Sequence, residues 1–212
     1  GSATSGDITL IGTSSGGSAA SDLNSNAALN QGHGLLLRGD ITTQGKISLT
    51  GTADNGVGVF LQHSTYDYGR TMAEVQPTLQ VLSGGANMAG QDAIYIDGTN
   101  LGSNPFGNNG VLIGSRLLNQ SNGGATTITS AEGGVALVTS TTGSSTGSGS
   151  ITNASTTGAI SITAGDGTGT STAAIGNLPS GINIGNNVSR AWTLSTAGTL
   201  ITQNSNAGVT IT

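Results

Sequence analysis

Apolar side chains recur on alternate positions in short runs along this chain. In "GKISLTGTA" (45–53) they are Ile47 and Leu49, and in "NGVGVFLQ" (55–62) they are Val57, Val59 and Leu61. Alternation with period two is the pattern of a β-strand that buries one face. Glycines at 39, 45, 51 and 56 punctuate these runs and supply corners. Thr and Ser fill the outward positions, where β-branched residues are tolerated. A helical period is lacking; the nearest approach, Tyr68 to Leu82, is interrupted by Pro77.

The runs repeat. "GDITLIGTS" (6–14) matches "GKISLTGTA" (45–53), and each copy is followed by a loop and a second strand, "GHGLLLRG" (32–39) or "NGVGVFLQ" (55–62). The second type returns as "GVLI" (110–113), "GVAL" (134–137), "GAISI" (158–162), "GINI" (181–184) and "GVTI" (208–211), and "TLQVL" (78–82) and "DAIYI" (92–96) fit the same register. One such strand cannot bury its apolar face, but stacked copies can. The prediction is an all-β fold, a parallel β-helix (β-solenoid) with roughly 20–27 residues per coil, whose eight or nine coils at about 4.8 Å make a rod of roughly 40 Å. Ile47, Leu49, Val57, Val59, Val111, Ile113, Val135, Leu137, Ile160, Ile162, Ile182 and Ile184 are expected to share its core. The alternative is an antiparallel β-sandwich, with Asn55-Gly56, Asn109-Gly110 and Asn122-Gly123 as hairpin turns.

Composition narrows the class. The chain has 212 residues with 37 Gly, 7% charged residues and no Cys, where an ordinary domain has about 25% charged residues. Such a composition suits disorder, but the period-two pattern argues for a folded stack. The net charge is −5 and Lys46 is the only lysine. Nucleic-acid binding, which needs clustered bases, is therefore not expected. Without Cys there are neither disulfides nor thiolate metal sites. No apolar run is long enough to cross a membrane as a helix. Gly1-Ser2 reads as the remnant of a cleaved tag, and residues 3–212 as a single β-solenoid fragment of a larger protein with a loop insertion around 61–77.

The phrase "GxITLxGT…GxGVxL", carried by "GDITLIGT", "GKISLTGTADNGVGVFL", "GAISITAG" and "TLITQNSNAGVTIT", resembles the repeats of large bacterial exoproteins of the filamentous-haemagglutinin type. The match covers residues 6–62 closely and 125–212 more loosely, and residues 63–109 depart from it. The resemblance implies a right-handed β-helix, secretion by the two-partner route through an outer-membrane partner of the parent protein, and a place outside the cell or on the surface of a Gram-negative bacterium. It implies an adhesive rod whose partners are a host-cell receptor or glycan, or the polysaccharide of a sister cell or matrix. It brings no catalytic residue and no cofactor.

Candidate chemistry is sparse. His33 and His63 are the only histidines, and no nucleophile-elbow motif is present. His33, between glycines, reads as a corner residue. A polysaccharide-processing β-helix would need carboxylates such as Asp67, Asp92 and Asp97 to converge in one groove, with Arg70 or Arg116 beside them; the expectation is no enzyme, with Asp7, Asp40 and Asp97 as turn residues. "DGTNLGSNPFGNN" (97–109) offers one carboxylate, too few for a tight calcium site, and no metal is expected. The stretch "LQHSTYDYGRTMAEVQP" (61–77) gathers scarce aromatic and basic residues where the repeat breaks. Tyr66, Asp67, Tyr68 and Arg70 are the candidate binding residues, since Tyr and Arg anchor interfaces and rigid scaffolds carry function on loops; the alternative is that the insertion folds back and packs. Trp192 reads as a core residue, with an outward, sugar-stacking position as the alternative. Thr-x-Thr arrays can bind ice, and "TTITS" (126–130) is one, but the threonines are not expected to repeat in step.

Overall fold

The computed structural model describes residues 6–15, 32–54, 56–62, 77–101, 109–137, 139–140, 147–155, 157–164, 182–184, 201–203 and 208–211. They form a parallel β-helix with three sheets. Sheet A stacks β1 (Ile8–Ser14), β4 (Ile47–Ala53), β7 (Asp92–Asn100), β10 (Ala125–Ser130), β15 (Ile160–Ala164) and β18 (Val209–Ile211). Sheet B stacks β2 (Leu35–Leu37), β5 (Val59–Leu61), β8 (Asn109–Ile113), β11 (Gly134–Leu137) and β16 (Ile182–Ile184). Sheet C stacks β3 (Ile41–Thr43), β6 (Thr78–Val81), β9 (Arg116–Asn119), β14 (Ser150–Asn153) and β17 (Ile201–Gln203). Every pairing within these sheets is parallel, which excludes the sandwich. Among the described residues the one antiparallel pair is a small hairpin, β12 (Thr139–Ser140) with β13 (Gly147–Ser148), between β11 and β14. Two of the Asn-Gly pairs are not hairpin turns: Asn109-Gly110 opens β8, and Gly123 takes a φ of 89° in the turn before β10.

One coil is three strands, A then B then C, and its length departs from the expectation. Sheet A register steps run from 32 residues, Ile94 to Thr126, up to 49, Ile160 to Val209. The described residues make five coils and the first strand of a sixth, so sheet A spans about 24 Å at about 4.8 Å per strand. The shorter period read from the sequence arose because strands of different sheets within one coil share the same apolar signature.

The core is built of columns. Ile8, Ile47, Ile94, Thr126, Ile160 and Val209 stack in one, and Leu10, Leu49, Ile96, Ile128, Ile162 and Ile211 in the next. Of the twelve expected core residues, all except Ile182 and Ile184 are buried; those two lie in β16, and their side chains are outside the described residues. Each such burial contributes about 1.5–3 kcal/mol.

The corner between sheets A and B explains the glycines. A Cβ on Gly12, Gly51 or Gly98 would lie 2.0–2.1 Å from the carbonyl oxygen of Gly34, Gly58 or Gly110. Backbone packs on backbone there, and no side chain fits. Asp7 and Asp40 serve the next coil: their carboxylates accept the Lys46 and Thr78 backbone N–H groups, each at 2.8 Å. Asp97, read as a turn residue, instead lies within β7, because Gly98 is a corner-packing glycine rather than a turn.

Sheet B differs from the other two. Phe60, Leu112 and Ala136 point away from the core, yet all three are buried. The continuous runs "VFL", "NGVLI" and "GVAL" fit a sheet covered on both faces. Solvent-facing columns therefore belong to sheets A and C.

Candidate functional site

On sheet A the outward columns are Thr9, Ser48, Tyr95, Thr127, Ser161 and Thr210, and Ile11, Thr50, Asp97, Thr129 and Thr163. Hydroxyl residues fill most of these positions, but threonine does not repeat in step along either column, as expected. Tyr95 and Asp97 interrupt the array. Asp97 accepts the Thr129 hydroxyl at 3.0 Å and Asp92 accepts that of Thr127 at 2.5 Å, so both carboxylates brace the neighbouring strand. Lys46, Ser48, Asp92 and Tyr95 line a recess of about 310 Å³.

Sheet C carries a larger groove, about 600 Å³. Its two walls are outward columns that follow from the register. One runs Asp40, Thr78, Arg116, Ser150, and the other Thr42, Gln80, Leu118, Thr152. Arg116 is exposed at the start of β9. The Gln80 side-chain amide donates to Gln120 Oε1 at 2.7 Å, which holds it in place.

Tyr66, Asp67, Tyr68 and Arg70 lie outside the described residues, as do His63 and Trp192. The flanks of the insertion are described. Leu61 ends β5, Gln62 is buried and accepts the Arg38 Nε–H at 2.5 Å, and Pro77 leads into β6. The insertion therefore joins sheet B to sheet C and returns at Thr78, in the wall of the groove. In chain order Arg38, Arg70, Arg116 and Arg190 all follow a sheet B strand and precede or open a sheet C strand.

Asp92 and Asp97 share the outward face of β7; Asp67, the third member of the carboxylate trio, is outside the described residues. His33 stands at the corner between sheets A and B, as expected. Its Nδ1 accepts the Val57 N–H at 3.1 Å, and its ring meets Phe60 edge-on with centroids 5.1 Å apart. Among the described residues no three His, Cys, Asp or Glu side chains are grouped to hold a metal ion, and no helix is long and apolar enough to cross a membrane.

The groove was not foreseen in the sequence. Its signal is the pair of polar residues two places apart in "DITT", "TLQV" and "SITN", broken by Leu118 in "RLLN", and it becomes visible only once these strands are aligned as one sheet. The chain is thus of the parallel β-helix class, with a repeating apolar interior and two polar outer faces. Comparison with protein-family models, with curated proteins and with solved structures finds no match.

Proposed function

We propose that this chain is a structural and adhesive rod segment of a large secreted bacterial surface adhesin, of the filamentous-haemagglutinin type that its repeats resemble. Its place is outside the cell, and its partners are host receptors or glycans, or the polysaccharide of sister cells or matrix. The observation that carries the reading is the contrast between inside and outside. The two apolar inner columns of sheet A keep Ile, Leu or Val at every position but Thr126, while the outer columns of sheet C change at every step. A scaffold that holds its core constant and varies its surface suits display rather than a single reaction centre. A second reading, a polysaccharide-binding β-helix, is favoured by the groove along sheet C.

The test is attachment. Beads coated with the purified chain should adhere to at least one of host cells, bacterial cells or immobilised polysaccharide, above uncoated beads. Absence of attachment to all three overturns the reading. Replacing Tyr66, Tyr68 and Arg70 with Ala assigns the insertion: lost attachment at an unchanged melting temperature marks it as a contact surface, whereas a lower melting temperature with attachment retained marks it as packing.

A further inference from the structure

We infer that the outer face of sheet A carries a saccharide site, in which one neutral pyranose stacks on Tyr95 and hydrogen-bonds to Lys46 and Asp92. The inference rests on the adhesive reading and gives it a ligand class and a place. The site is the recess of about 310 Å³ between β4 and β7. That volume is at the lower end for ligand pockets, about 300–1,000 Å³, so it suits one or two sugar rings. Both strands are paired on both sides, so their backbones offer no edge to which a peptide could add as a strand.

An irregularity in β7 aims the carboxylate. Ala93 is an extra residue against β10, where the register shifts between Ala125 and Thr126. Counted back from the buried Ile94, strict alternation would turn Asp92 inward. Instead Ala93 joins the core and Asp92 faces out, where it accepts the Thr127 hydroxyl. Bulges re-aim side chains in this way beside functional sites. The bond to Thr127 fixes the carboxylate and uses one of its roughly four acceptor positions. Tyr95 stands in its column between Ser48 and Thr127, both too small to cover its ring. Among the described residues the Lys46 ammonium makes neither a hydrogen bond nor an ion pair, so a ligand can come between it and Asp92.

One ammonium and one carboxylate oppose each other's preference, so a ligand of either net charge gains at one and loses at the other. Vicinal hydroxyls suit both, since a hydroxyl donates to Asp92 and accepts from Lys46. A zwitterion also matches the two charges. Exposed ion pairs contribute little, however, and every lining side chain except Ile47 is half-exposed. A zwitterion also leaves the Tyr95 face bare, whereas the C–H face of a pyranose covers it.

Saturation-transfer NMR with the methyl pyranosides of glucose, galactose and mannose tests this, with glucuronate, glucosamine and the zwitterion glycine as controls. At least one neutral pyranoside should bind at millimolar concentration, more tightly than every control, with the strongest transfer to its ring C–H protons. Tyr95→Ala should weaken that binding at least tenfold, and Tyr95→Phe should retain it. Lys46→Gln should weaken it at least threefold at an unchanged melting temperature, which guards against a folding defect in Tyr95→Ala. Absence of binding by all three pyranosides, equal or tighter binding by any control, or an unchanged affinity in either Tyr95→Ala or Lys46→Gln overturns the inference. The bead assay separates the two claims. Attachment undiminished by Tyr95→Ala, with no pyranoside bound, retains the adhesive reading and removes the recess. Tyr95-dependent pyranoside binding without attachment to any surface retains the recess and removes the adhesive reading.

Discussion

A single methyl group tests the corner between sheets A and B. Gly51 has the Gly58 carbonyl oxygen 2.0 Å from where its Cβ would stand, and a Cβ on Gly58 would meet the Thr99 backbone nitrogen at 2.3 Å. Neither neighbour is a side chain that could turn aside. Gly51→Ala should therefore cost about 3 kcal/mol, as overpacking against rigid surroundings does. Gly39→Ala, with nothing within 4 Å, should change stability by less than about 0.5 kcal/mol. Urea unfolding of the two variants checks the contrast, and equal midpoints would show that the corner yields. These glycines were legible in the sequence as punctuation, but not as contacts, since nothing local to "LTGTA" reveals which backbone will lie against it.

Between sheets C and A two successive turns share one pattern. In "NQSNGG" (119–124) Asn119 Oδ1 accepts the Ser121 N–H at 3.0 Å, its Nδ2 donates to the Gly124 carbonyl at 2.8 Å, and Ser121 Oγ accepts the Gly124 N–H at 3.1 Å. "NASTTG" (153–158) repeats all three bonds one coil later with Asn153, Ser155 and Gly158. One buried amide thus satisfies both ends of a turn. Asn153→Ala removes the acceptor of the buried Ser155 N–H and a donor to the Gly158 carbonyl and should cost about 2–3 kcal/mol, while Asn122→Ala, at an exposed position of the other turn, should cost less than about 0.5 kcal/mol. Thermal unfolding distinguishes them, and similar losses would show that the amide is dispensable. The motif Asn-x-Ser-x-x-Gly is written plainly in the sequence, yet period-two reading passes over it because its residues are polar. For the same reason the sheet C strands "ITT", "RLLN" and "SITN" went unread, and with them the groove. The other strands of sheets A and B, rich in Ile, Leu and Val, were legible from alternation alone, whereas β10, "ATTITS", holds only Ile128 and was not.

Across the whole molecule, stability depends on position in the stack. Ile94 has a strand on either side of β7 and no solvent exposure, whereas Val209 lies in the last strand of sheet A and is 43% exposed. Ile94→Asp buries an unpaired charge between two coils and should cost several kcal/mol. Val209→Asp keeps contact with water and should cost about 1 kcal/mol or less. Hydrogen exchange would show the first opening the neighbouring coils and the second confined to the end; uniform loss of protection in both would mean that the stack unfolds as one unit rather than as coupled neighbours. The coil length was the least legible property at this scale. Corners between sheets B and C hold as few as the two residues 114–115 or as many as the sixteen from 62 to 77, so no fixed period exists to be found.

The parallel register also sets how the rod bears load. Its inter-coil hydrogen bonds lie along the helix axis, so tension applied to the two ends of the chain peels the terminal strand a few bonds at a time instead of shearing a whole sheet at once. Each coil that detaches frees 32–49 residues, about 110–170 Å of extended chain. Held between two anchored bodies, the segment would pay out slack in instalments and remain tethered, and optical-tweezer traces should show several steps of that size instead of one rip.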